Sequence, residues 1–197
     1  MNWSICSCLR FKWSLARGRR AAVVILYLVT TVIGLDSLKE TGIRVNITDS
    51  MPHGLYHLGT RLRPVRRGDV VAVCLPLRAA SVGRERGYLG PGICPGNVEP
   101  LLKFVAADGG DIVVASPKGV KVNGQILSES GRLQVDEVGR PLAYWSTTAH
   151  KLPAGEIWLY APSNRSWDSR YWGPVPIANV LGFADLLLTN QDRRTQR

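Results

Sequence analysis

The chain has 197 residues, 45% of them apolar and 20% charged, which excludes a disordered or collagen-like protein and leaves room for one ordinary domain with appendages. A net charge of +10 invites a nucleic-acid reading, but the charge lies in the wrong places. Residues 1–20 hold Arg10, Lys12, Arg17, Arg19 and Arg20 without an acid (+5), and the tail from Gln191 sets Arg193, Arg194 and Arg197 against Asp192 (+2). Only +3 is left for residues 21–190, so no nucleic-acid partner is expected.

Behind the basic leader, Ala21 to Leu35 is a run of fifteen uncharged residues. That is short of the roughly 20 residues of a comfortable membrane-spanning helix, though a thin bilayer accepts fewer. It also suits the apolar stretch of a signal peptide, with Val32 and Gly34 as small residues but no Ala-x-Ala. Both alternatives keep the basic end in the cytoplasm and put everything after Asp36 outside it. The expected organisation is a leader at 1–20, an anchor or signal segment at 21–35, a spacer at 36–44, an exported catalytic domain at 45–190 and a tail at 191–197. Cys74 and Cys94 fall in the exported part, where an oxidising compartment permits a disulfide. Neither the cysteines nor His53, His57 and His150 show ligand spacing, so neither a metal nor another cofactor is expected.

The exported part reads as short strands between turns. Val45, Ile47 and Asp49 alternate toward Ser50, where Met51-Pro52 and Gly54 force a turn. Val70 to Leu75 is an apolar strand, and residues 83–100 read as a Gly/Pro-rich loop. Leu101 to Ala107 and Ile112 to Ala115 are strands, Asn123-Gly124 a tight hairpin turn, and Ile157 to Tyr160 a further strand. Residues 164–176 form a polar, aromatic loop before a last strand from Val180. The fold class is mainly β, a barrel-like domain behind one N-terminal helix.

Two residues carry the chemistry. Ser50 presents a hydroxyl at a strand end on a rigid loop. Lys103 sits inside an apolar strand, where an ammonium must reach solvent, pair with an acid or lose its proton. Burial lowers a lysine pKa, and a neutral amine beside a hydroxyl is a general base.

Ser50-Met51-Pro52, Arg67-Gly68-Asp69-Val70-Val71, Lys103-Phe104-Val105-Ala106 with Gly110-Asp111-Ile112-Val113, Val122-Asn123-Gly124 and Asp168-Ser169-Arg170-Tyr171-Trp172-Gly173 resemble, in order, the boxes of the type I signal peptidases. Asn46-x-Thr48-x-Ser50 and Tyr171-Trp172-Gly173-Pro174-Val175-Pro176 are most similar to the peptidases of plasmid conjugal-transfer systems within that family. The resemblance implies a signal-peptidase-like β-barrel and a serine endopeptidase with a Ser-Lys dyad. Ser50 would be the nucleophile, Lys103 the base, the Ser50 N–H and Thr48 hydroxyl the oxyanion donors. Asp168 would orient Lys103 directly or through Ser169 and Arg170, unless Asp168 and Arg170 form a purely structural pair. Implied partners are a pilin precursor, the inner membrane and type IV secretion components. The implied role is pilin maturation, with or without cyclisation, needed for pilus assembly, conjugation and donor-specific phage sensitivity. One departure counts: Ala161-Pro162-Ser163-Asn164-Arg165-Ser166 lacks the Gly-Asp found before the Asp-Ser-Arg box of bacterial leader peptidases, which argues against a general housekeeping enzyme. The alternatives are a general signal peptidase or a non-catalytic factor of the mating channel.

Overall fold

A computed structural model describes residues 21–31, 42–48, 50–145 and 148–189. The leader 1–20, most of the spacer, Asp49 and the tail from 190 lie outside the described residues. The chain divides between Ile43 and Arg44 into two compact units. In the first, residues 21–31 form helix α1, every described residue of which is exposed. Among the described residues no helix is long and apolar enough to cross a membrane.

The second unit is built on β1 (Ile43–Asn46), β2 (Gly54–Thr60), β3 (Val70–Val73), α2 (Leu77–Glu85), β4 (Pro91–Cys94), β5 (Leu101–Ala107), β6 (Ile112–Ser116), β7 (Gly119–Val122), β8 (Gln125–Ile126), β9 (His150–Lys151), β10 (Glu156–Tyr160), α3 (Ser169–Trp172), β11 (Val175–Pro176) and β12 (Val180–Thr189). The domain is mainly β, as expected. Among the described residues no closed barrel is formed: one open sheet of seven strands runs β1-β2-β12-β3-β5-β10-β11, and a second of four runs β8-β7-β6-β9.

β5 lies near the middle of the large sheet, antiparallel to β3 on one side and to β10 on the other. Its register with β10 skips a residue, pairing Trp158 with Ala107 but Leu159 with Val105. An extra residue in one strand turns the following side chains to the other face. Val105 therefore joins the core with Val71, Val73, Ile157 and Leu159, whereas Ala106 and Ala107 join Trp158 in a second core against the small sheet. The Arg67-Gly68-Asp69 turn is fixed to the same strand: the Gly68 N–H donates to the Val105 carbonyl and the Val105 N–H to the Asp69 carbonyl. Asn123 (φ 49°) and Gly124 (φ 81°) are both left-handed, the conformation that joins β7 to β8 in a two-residue hairpin.

The sequence-level loop at 83–100 needs correction. Its first residues belong to α2, and β4 lies within it. The helix depends on what it packs against, which composition alone does not show. Ala79 and Ala80 are buried against Cys74, Leu89 and Cys94, and a Cys74–Cys94 disulfide closes the whole segment at its base. β1 also stops earlier than the alternation suggests, at Asn46, which leaves Ile47 and Thr48 exposed in the turn. Strand β2 went unread because Pro52 and Gly54 looked like turn alone. Gly54 is required there by space, since a Cβ would collide with the Leu188 carbonyl on the paired strand.

Candidate active site

Lys103 occupies the middle of β5, opposite Val71 of β3, and is 2% exposed. A strand of valines, alanines and leucines is stable at the centre of a sheet, and the lysine is carried into the core with it. Burial lowers its pKa from the ordinary 10.5 to about 8; the Asp168 carboxylate pulls the other way and the Arg170 guanidinium reinforces the lowering. Neutral amine is thus available close to neutral pH.

Asp168 and Arg170 are buried completely or nearly so, at 0% and 2% exposure. Asp168 caps α3 and binds the guanidinium bidentately, Arg170 Nε to Oδ1 at 2.7 Å and Nη2 to Oδ2 at 2.6 Å. The Ala161 and Arg170 N–H groups donate to the same carboxylate, both at 3.2 Å. The rest of the guanidinium donates to the carbonyls of Glu129, Gly131, Ser163 and Ser166. Removing one partner of such a pair leaves an uncompensated buried charge, which costs about 3–5 kcal/mol. The pair therefore binds three stretches of loop together, and Asp168 acts on Lys103 through its field while its direct bonds go to Arg170 and backbone. Ser169 Oγ accepts the Leu159 N–H at 2.9 Å, beside the irregularity in the β5–β10 pairing. It supports the strand next to the lysine.

Ser50 is half-buried in the turn after β1. Its neighbour Met51 is 4% exposed and packs with Tyr56, Ala161 and Ala184, against which Leu102 and Phe104 also pack. One apolar cluster thus holds the residue after Ser50, both residues flanking Lys103, and the residue whose N–H meets Asp168. This is how three distant boxes of sequence converge. Among the described residues no hydrogen bond joins Ser50 to Lys103. Thr48 is exposed, and its hydroxyl donates to Asn46 Oδ1 at 2.8 Å. The strand expected from the alternation to run on toward Ser50 ends at Asn46, so Thr48 lies in the turn.

The sequence assigns no role of their own to two residues here. Asn46 bonds across the whole Ser50 turn. Ser166 is 1% exposed, and its Oγ has no hydrogen-bond partner among the described residues. Its place two residues before Asp168 was the available signal. No group of His, Cys, Asp and Glu suited to a metal occurs among the described residues.

Comparison with known proteins identifies the family of the chain. The model of the family "Signal peptidase, peptidase S26" matches residues 16–189. A probable conjugal transfer protein TraF from Sinorhizobium fredii is 36% identical over 179 residues, covering 88% of this chain and 94% of that protein. A plasmid transfer protein TraF from Escherichia coli is 37% identical over 150 residues (75% and 84% coverage), and a conjugal transfer protein TraF from Agrobacterium fabrum is 38% identical over 160 (81% and 87%). A signal peptidase I from Enterococcus faecalis shows 21% identity and a TM-score of 0.35, covering 61% of this chain and 97% of that one. By the span of the family match and the identity of these relatives, the chain belongs to the signal peptidase family, peptidase S26.

Proposed function

We propose that this chain is the serine endopeptidase of a plasmid conjugal-transfer system, maturing a pilin precursor with Ser50 as nucleophile and Lys103 as base. The observation that carries the reading is Lys103: a lysine placed 2% exposed in a β-strand is costly unless its neutral form is used. The names of the relatives support the setting in plasmid transfer.

In this mechanism the Lys103 amine takes the Ser50 proton as Ser50 Oγ attacks the scissile carbonyl. The Ser50 N–H and the Thr48 hydroxyl hold the oxyanion. Collapse breaks the C–N bond, the Lys103 ammonium protonates the leaving amine, and the acyl chain stays on Ser50 as an ester. Closure of the Ser50–Lys103 contact belongs to the substrate complex, since catalytic hydrogen bonds commonly tighten only there. Water then releases a linear product, or the pilin's own amino terminus attacks and releases a ring. In this reading the catalytic unit works outside the cytoplasm, anchored to the inner membrane or released from it, which the basic leader and the apolar segment from Ala21 support. Asp168 and Arg170 hold the loops around the lysine.

The test is the mass of the system's pilin after co-expression with the full chain. Processing to a shorter chain by wild type but not by Ser50→Ala supports the reading, and a product lighter by one further water identifies cyclisation. Equal maturation with Ser50→Ala removes it.

A further inference from the structure

Asn46 ends β1 four residues before Ser50, and its side-chain amide is the centre of the turn between them. Nδ2 donates to the carbonyl oxygens of Thr48 (3.1 Å), Met51 (2.9 Å) and Pro52 (3.2 Å). Oδ1 accepts the Thr48 N–H at 3.3 Å and the Thr48 hydroxyl at 2.8 Å. Three acceptors on one side and two donors on the other fix the orientation of the amide. An amide oxygen has no hydrogen to give, so the Thr48 hydroxyl is the donor, and it has only one hydrogen. In the free chain that hydrogen is committed to Asn46.

We propose that Asn46 is a positioning residue for the nucleophile turn, holding the Ser50 backbone and the Thr48 hydroxyl as one unit and keeping the hydroxyl's hydrogen until an oxyanion forms. The proposal rests on Ser50 being the nucleophile. Its energetic logic is differential. A neutral substrate carbonyl is no better an acceptor than Asn46 Oδ1, so the hydroxyl has no reason to move on binding. An oxyanion accepts a charge-assisted bond roughly twice as strong as a neutral one, so the hydrogen transfers as the transition state develops. Such an interaction raises kcat and leaves KM alone. No covalent bond of the protein changes in this exchange of hydrogen-bond partners.

The turn has a second anchorage, which keeps the test clean. Tyr56 Oη donates to the Pro52 carbonyl at 2.9 Å, and Met51 is buried, so loss of the Asn46 amide leaves the β1–β2 connection docked. The probe is the p-nitrophenyl ester of Ala-Gly-Ala, turned over by the purified full chain at pH 8.5, with a melting curve for every variant. Asn46→Ala should lower kcat about 10²-fold, the scale of one oxyanion donor, with KM within about threefold and an unchanged melt. Thr48→Val should lose a similar factor, and Thr48→Ser, which keeps the hydroxyl, should stay within about threefold of wild type. The double variant Asn46→Ala/Thr48→Val should fall no more than about threefold below the worse single one, because both act through one unit. Asn46→Asp has the same shape but no N–H for any of the three carbonyls, and should lose at least about tenfold in kcat. Wild-type kcat in Asn46→Ala or Asn46→Asp, or losses that multiply in the double variant, overturn the role of Asn46. Turnover retained in Ser50→Ala, measured alongside, overturns the nucleophile reading and this proposal with it.

Discussion

Replacing Lys103 with methionine should make the protein more stable at neutral pH. The residue is 2% exposed on a central strand, and burial lowers its pKa from 10.5 to about 8. At pH 7 the folded wild type therefore still carries an ammonium in the core, at a cost of roughly 3 kcal/mol relative to the unfolded chain. Methionine has a similar length, no charge and a flexible stem, and such swaps in a core usually cost less than about 1.5 kcal/mol. The expected net gain at pH 7 is about 1–3 kcal/mol by this balance. The sign with pH follows from proton counting. Between pH 8 and 10.5 the unfolded lysine holds a proton that the folded one has released, so the stability of the wild type rises with pH across that window. The advantage of the variant should shrink over the same window and level off above 10.5. Other groups titrating there, such as the buried tyrosines, are common to both proteins and cancel in the difference. Urea unfolding of the purified full chain, at pH 7, 8.5 and 10, reads the gap directly. A variant less stable than wild type at pH 7, or a gap constant from pH 7 to 10, would refute the claim that the lysine pays a burial penalty.

Three further expectations concern the rest of the site. Turnover should fall about tenfold per pH unit below about 8 as Lys103 takes up a proton, and a rate constant down to pH 6 would exclude a neutral-lysine base. Asp168→Asn should cost about 3–5 kcal/mol in urea unfolding by leaving the Arg170 guanidinium under-compensated. Undiminished stability with lost activity would instead assign Asp168 to the lysine. Breaking the Cys74–Cys94 bridge by Cys94→Ser should cost about 3 kcal/mol, the chain-entropy scale for a loop closed at a separation of 20 residues, with α2 the first element to gain amide exchange. Equal protection of α2 in both forms would show that its alanine face suffices without the bridge.

Most strands were legible because their signals are local. The β5 and β12 runs, the Asn123-Gly124 hairpin and the turn at Met51-Pro52 each follow from residue type within a few positions. What could not be read depends on partners far away in sequence. α2 needs Leu89 and the disulfide to cover Ala79 and Ala80; α3 needs Asp168 as its cap and the bridging of loops by Arg170. The barrel expectation failed because strand spacing says nothing about whether the first and last strands meet, and here β1 and β11 end an open sheet. At the site, Lys103 announced itself as a charge in an apolar strand. Asn46 did not, since its five hydrogen bonds arise from the path of the turn, which composition does not encode. Thr48 was misplaced for the same reason: alternation carried the strand to Asp49, three residues past its end at Asn46.

The most direct test of the account is chemical capture of the acyl-enzyme. The full chain is mixed with the Ala-Gly-Ala ester at pH 8.5, quenched in acid within one turnover, digested with trypsin and sequenced by mass spectrometry. One acylated peptide is expected, residues 45–61, with the acyl group on Ser50, and none from Ser50→Ala. An acyl group on another residue, or hydrolysis by wild type with no adduct on Ser50, would contradict it.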